Sequence, residues 1–291
     1  MSNPNIKYSK VVIPQKAQHG TGFMAYRLSD SAFSGLLNPV LNVDHYFMSE
    51  PTFPPHPHAG FSAITYMFED SATSILNRDT LGNEININPG DLHWAQAGKG
   101  MMHEEPPLVH GLVSHGLQIF INLPKKLKDS DPKVYHIANA QAPRVMSENG
   151  IAEVKVAAGN FGEASSPMQV DWPTDLLQLK WKKDGGAKIT LRPGQSALVL
   201  NMSDTVTLSD TGFSSVPKYA GVAVANKGSI TEDFEIFGNV SSDVVIIRGQ
   251  VIDEPAIFHG PFVATDVDEM NKTINRYRRG EFGELLPRED K

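Results

Sequence analysis

The chain has 291 residues, with 26 Lys and Arg against 33 Asp and Glu, for a formal net charge of −7. That balance argues against broad non-specific binding to nucleic acid. The absence of cysteine removes disulfides, thiolate metal sites and thiol nucleophiles together. The length allows one large domain or two ordinary ones, each with a full core. Met1 to Lys10 lacks an apolar signal-type region, and no apolar run reaches the roughly 18 residues needed to cross a bilayer. No membrane association is expected, and the cytoplasm is the expected location.

Short extended segments open the chain, such as Lys10 to Ile13, broken by Gly20, Gly22, Gly35 and Pro39. Leu41 to Phe47 is a strand candidate, and the loop from Ser49 to Pro55 is stiffened by its prolines. Phe61 to Phe68 and Ser74 to Arg78 read as strands. Asp79 to Asn83 supplies a turn, and Ile85 and Ile87 then alternate with Asn86 and Asn88, the period of a half-buried strand. Pro89-Gly90-Asp91 turns the chain into Leu92-His93-Trp94, and Gln118 to Leu123 is a further strand. This spacing of short strands and turns predicts a β-sandwich or barrel, without the helical segments of a parallel βαβ sheet.

The charged, proline-ended run Lys125 to Pro132 reads as a solvated linker and divides residues 1–130 from 131–265. Strand candidates follow at Val154 to Ala158, Leu176 to Trp181, Lys188 to Leu191, Ala197 to Leu200, Thr205 to Leu208, Gly221 to Ala225 and Val244 to Arg248. Arg192-Pro193-Gly194-Gln195 echoes Asn88-Pro89-Gly90-Asp91, so two similar β domains in tandem are expected. Residues 266–291 form a tail that alone looks helical. Asp266 fits an N-cap, Met270, Ile274 and Tyr277 share one face, and Gly280 ends the helix.

Chemistry concentrates in Pro55-His56-Pro57-His58 and Met102-His103-Glu104-Glu105. On a strand, alternate side chains share a face, so His56 and His58 converge, as do His103 and Glu105. On a helix the same spacing would make them diverge. Pro57 biases His56 toward extended geometry. If the two stretches are neighbouring strands of a barrel, three nitrogens and one oxygen face one point, as metal ligands. Such a set suits iron, manganese, cobalt, nickel, copper or zinc, with Fe(II) the first choice on chemistry. Nine of the ten histidines lie in the first 136 residues, which fits a metal in the first domain and none in the second. His93, His110 and His115 are nearby rivals, His93 as a hydrogen-bonding neighbour of the ligands or at the pocket entrance. Glu104 would point away. Phe47, Met48, Phe53, Phe61, Met67, Met101, Met102 and Phe120 flank the site as core or as the lining of an aromatic-binding pocket. No nucleophile elbow, His-Glu-x-x-His, P-loop or dinucleotide fingerprint is present.

Five blocks in order carry a resemblance: Phe53 to Phe61, Asn77 to Asn83, Pro89 to Trp94, Ala97 to Glu105 and Gly116 to Pro124. Together they resemble pirin and the pirin-like proteins of the cupin superfamily. Glu254-Pro255 and His259 to Phe262 are similar to the block preceding the family's C-terminal helix. The resemblance implies an all-β bicupin, two tandem jelly-roll-like barrels with a short C-terminal helix and the metal in the N-terminal barrel. It implies His56, His58, His103 and Glu105 as ligands, commonly of iron. Some members have quercetin 2,3-dioxygenase activity, opening a flavonol with dioxygen and releasing carbon monoxide. Others are described as transcriptional cofactors or as partners of metabolic enzymes. Where many members carry Arg and later Glu after the second histidine, this chain has Ala59 and Ser62.

Two expectations follow. The first is a dioxygenase taking a small aromatic or enol substrate and dioxygen, with Glu105 as both ligand and catalytic base. The second is a redox-sensing regulator acting through a protein partner.

Overall fold

The computed structural model describes residues 3–208 and 215–286. Strands dominate, and the C-terminal helix Val267–Arg278 is the one long helix among the described residues. The all-β class expected from the spacing of turns is therefore what the chain adopts. The packing resolves two compact units, each assembled from three stretches of sequence. One comprises Met1–Gln15, Arg27–Leu41 and Ala140–Val251; the other comprises Lys16–Tyr26, Asn42–Asn139 and Ile252–Lys291.

Each unit is built as a seven-stranded sheet with a four-stranded sheet. In the unit containing Asn42–Asn139, the larger sheet runs Lys133–Ile137, Leu92–Gln96, Phe61–Met67, Ser114–Asn122, Val40–Met48, Phe23–Ser29 and Gln15–His19. The smaller runs His56–His58, Met101–Glu104, Ile75–Asp79 and Glu84–Ile87. In the other unit the larger sheet runs from Ile6–Tyr8 through Gly221–Asn226, Gln195–Asn201, Asp243–Gln250, Thr174–Trp181 and Ala152–Ala158 to Arg144–Met146. Its smaller sheet orders Gly185–Leu191, Glu232–Gly238, Thr205–Leu208 and Val216–Pro217. The weak repeat read in the sequence is thus a repeat of topology.

The two interiors differ chemically. Val154, Val156, Leu177, Leu179, Val199, Val222, Val224, Phe234, Ile236 and Ile246 fill the second interior with hydrocarbon. Burying such side chains is worth roughly 1.5–3 kcal/mol each, so that barrel is a packed core. The other barrel has aliphatic and aromatic clusters at Ala25, Tyr46, Met48, Met67, Ile75 and Ile87, and at Ala95, Ala97 and Met101. Between its sheets it also buries His58, Thr65, His93 and His103. Buried polar groups cost stability unless satisfied, and sites that break the packing rules in this way are where function concentrates.

Two sequence readings change. The run from Lys125 to Pro132 is not a solvated linker. It forms a helical turn, Lys125–Lys128, whose Lys128 is 4% exposed and donates to the Gly60 carbonyl and Asn122 Oδ1. The packing boundary lies instead between Asn139 and Ala140, and the unit containing the histidines also takes in Ile252–Lys291. Lys10 to Ile13 makes only an isolated bridge, Val12 to Gly221, while the pairing strand is Ile6–Tyr8.

The helix is capped as its sequence predicts. Asp266 accepts from the Glu269 amide at 2.8 Å, and the Glu269 carboxylate accepts from the Thr265 hydroxyl at 2.8 Å. Met270 and Ile274 belong to the cluster of Ala59, Phe262, Ala264, Phe282 and Met102, and the Tyr277 ring packs against Phe262. The helix therefore docks on the outer side of the strands that carry the histidines.

Candidate metal centre

His56–His58 and Met101–Glu104 pair antiparallel, with His103 directly opposite His56 and Met101 opposite His58. Directly opposed residues of an antiparallel pair share a face. His56, His58 and His103 accordingly converge, with ring centroids 4.7 to 4.8 Å apart in all three pairs. Each offers one ligand nitrogen, and the three nitrogens lie within 4.8 Å of one another. Pro57 and Met102, the alternate residues, point outward, and Met102 joins the cluster under the C-terminal helix. Glu104 also faces away and forms an ion pair with Arg78.

The surroundings set the protonation of the three rings. His56 Nδ1 donates to the Pro54 carbonyl at 2.9 Å, since a carbonyl can only accept, which leaves Nε2 as the lone-pair nitrogen. Such a carbonyl partner fixes tautomer and orientation in metal-binding histidines. Burial lowers the His58 pKa to about 3, the neighbouring His56 adds to this, and the nearby Pro261 carbonyl works the other way. Burial, with His58, His56 and His93 nearby, holds His103 well below its ordinary value. Burial lowers His56 as well, against its bond to Pro54 and the charge of Glu104. All three imidazoles are therefore neutral at physiological pH, as metal ligation requires. His103 Nδ1 is buried without a hydrogen-bond partner. A convergent set of neutral imidazoles, two buried and His56 half-buried, fits a divalent transition metal.

Glu105 follows the end of its strand and stands outside the group of three, with Oε2 accepting from the Thr65 hydroxyl at 2.7 Å. Burial pushes its carboxyl up to about 7, against the lowering effect of that hydrogen bond. Its charge in turn raises Tyr46, whose pKa burial already lifts well above the ordinary value. Phe61 and Phe120 pack on His58 with centroids at 5.0 and 5.7 Å, so two of the predicted flanking aromatics line the site. Phe47 instead stacks on His115 at 4.5 Å.

The rival histidines separate. His115 bonds His45 and Asp70, each at 2.7 Å, and His110 lies 3.8 Å from Glu50. His93 is buried on the same face as Thr65, its direct cross-strand partner. Thr65 and Gln118, which hydrogen-bond each other at 3.1 Å beside Glu105, escaped the sequence reading. Every residue of Phe61–Met67 is buried, so no alternation of polar and apolar residues marks which face is inward. The same reading left Pro261 unassigned, although its block was singled out.

Comparison with known proteins agrees with this geometry. Residues 14–121 match the Pirin family model, and residues 176–283 match that of the Pirin C-terminal cupin domain. Pirin-1 of Arabidopsis thaliana is 30% identical over 275 residues, covering 94% of this chain and 93% of its own. Pirin of Homo sapiens is 29% identical, with 95% and 94% covered. A quercetin 2,3-dioxygenase crystal structure from Acinetobacter baumannii superposes with a TM-score of 0.81 at 23% identity, covering 97% of this chain and 99% of that one. With both regions matched in order, a relative 30% identical along nearly its whole length and three histidines converging in the first region, the chain belongs to the pirin family.

Proposed function

We propose that this pirin-like bicupin is a metal-dependent dioxygenase of the quercetin 2,3-dioxygenase type, acting on a flavonol or a similar enol. The observation that carries the reading is the convergence of three imidazoles, half-buried His56 with buried His58 and His103, on the inner face of a barrel, with Glu105 two residues beyond His103. The likeness to a quercetin 2,3-dioxygenase structure supports it. In this proposal His56, His58 and His103 hold the metal, Glu105 is the fourth ligand, and iron is the ion expected. A metal so held would supply Lewis-acid activation of the enol and a place for dioxygen beside it.

The protein's own groups supply the rest. Glu105 is the group assigned to take the enol proton as the substrate binds. Thr65 orients that carboxylate, and Gln118 in turn engages Thr65. Phe61 and Phe120 give an aromatic substrate an apolar surface next to His58 and exclude water from it. Holding substrate and oxygen together turns an encounter of two molecules into a reaction between neighbours.

Oxygen uptake by iron-loaded protein with quercetin tests this reading. Uptake should depend on the metal and fall at least about tenfold in Glu105→Gln. Wild-type protein with a full metal complement that consumes no oxygen with any flavonol or enediol would refute it.

A further inference from the structure

Beside the triad, one row of polar side chains crosses the inner face of the seven-stranded sheet. Gln118 lies opposite Thr65, Thr65 opposite His93, and His93 opposite His136. Direct cross-strand neighbours share a face, and that face is the one on which Thr65 bonds Glu105. Two residues along the same strand from His93, Ala95 clusters with Met101, itself two residues before His103. The His93 ring is close enough to His103 to influence its protonation.

His93 is 1% exposed, and neither of its ring nitrogens has a hydrogen-bond partner. A neutral imidazole carries one N–H and one lone pair. Leaving a buried polar group unpaired costs its full desolvation, so buried groups of this kind call for a partner. The neighbours do not provide one. The Thr65 hydroxyl is engaged by Glu105 and Gln118, the His136 ring stands 5.8 Å away centroid to centroid, and Ala95 has no polar side chain. The ring therefore presents a donor and an acceptor to the interior that also contains the triad.

We propose that His93 is the residue that hydrogen-bonds the small molecule held at the triad, donating its N–H to an oxygen of a planar enol or enolate. This rests on the metal-dependent reading above. It adds a specificity rule: a ligand must carry a second oxygen beyond the one at the metal, placed to reach His93. An analogue without that oxygen would leave the donor unpaired and would be rejected.

The test is anaerobic titration of the metal-loaded protein with quercetin, followed by the shift in flavonol absorbance. His93→Phe and His93→Leu remove the donor with different shapes, and His93→Gln restores an N–H. The expected result is a dissociation constant about 10- to 100-fold weaker in the Phe and Leu variants. Metal content should be unchanged, and His93→Gln should recover part of the loss. Unchanged quercetin affinity in folded, metal-loaded Phe and Leu variants would overturn the proposal and leave the dioxygenase reading intact. That outcome would mean that water alone satisfies the ring. Wild-type protein that binds metal but no quercetin would overturn both.

Discussion

His103 lies directly across the antiparallel register from His56, and their ring centroids are 4.7 Å apart. This single pairing turns two short motifs, far apart in the chain, into one site. The outward residues of the same two strands pack against the C-terminal segment, so the triad's backbone is held from behind.

Replacing an inward histidine should abolish the metal without unfolding the barrel. His103→Ala removes one of three convergent nitrogens and leaves the outward Met102 cluster in place. Metal content by elemental analysis should drop from about one per chain, with affinity weakened more than roughly tenfold. Circular dichroism should retain the wild-type strand signal. Met102→Ala should do the opposite, lowering stability by about 1–2 kcal/mol through lost packing while sparing metal stoichiometry.

The metal-free protein should lose stability in acid because of its buried rings. His58 and His93 are each brought by burial to about 3, from an ordinary value of 6.5. Below pH 6.5 the unfolded chain takes up protons that the folded chain refuses, so stability falls as pH drops toward 3. Each ring contributes a slope of up to about 1.4 kcal/mol per pH unit. Urea unfolding between about pH 7 and pH 5 should show the decline. His93→Phe should make it shallower by roughly one proton.

Much of this centre was legible because it depends on local periodicity. His56-x-His58 shares a strand, so period two alone brings both side chains to one face. The strands Gln15–His19 and Phe23–Ser29 were less legible, the first being mostly exposed and without a hydrophobic signal. Glu232–Gly238 did carry the alternation, with Phe234 and Ile236 buried and Asp233, Glu235 and Phe237 alternating with them, and was passed over. The division at residue 130 missed a long-range effect. Ala59 bridges to Phe262, a pairing across some two hundred residues that no local pattern announces.

Lys128 gives an alkaline counterpart to the acid effect. Its ammonium donates to the Gly60 carbonyl and Asn122 Oδ1, both at 2.6 Å. Burial lowers its pKa from 10.5 to about 8, with Glu269 and Glu254 pulling the other way. Between these values the unfolded chain binds more protons than the folded one, so stability rises with pH through that window. Wild type should therefore gain about 3 kcal/mol on Lys128→Met as pH goes from roughly 7 to 11. Paired denaturant titrations at the two ends of that range measure the difference.

Gly60 should be the most sensitive small residue near the triad. It has φ +82°, and a Cβ there would come within 1.7 Å of the Val263 carbonyl oxygen. Adopting that φ costs a non-glycine residue roughly 1–2 kcal/mol before any clash. Relief of the clash would push Val263 away and break the hydrogen bond that its amide donates to the Ala59 carbonyl at 3.0 Å. The same shift would move Pro261, whose carbonyl accepts from the Ala59 amide and raises the pKa of the His58 ring. It would also disturb the Gly60 carbonyl that receives Lys128. Gly60→Ala should therefore lower stability by more than about 2 kcal/mol and weaken metal binding as well. Gly82→Ala supplies the control: its φ is +85° but its added Cβ meets nothing within 4 Å, so only backbone strain applies. Thermal unfolding and metal titration of both variants should show a stability loss in each. Metal affinity should fall only where the glycine touches the segment behind His58.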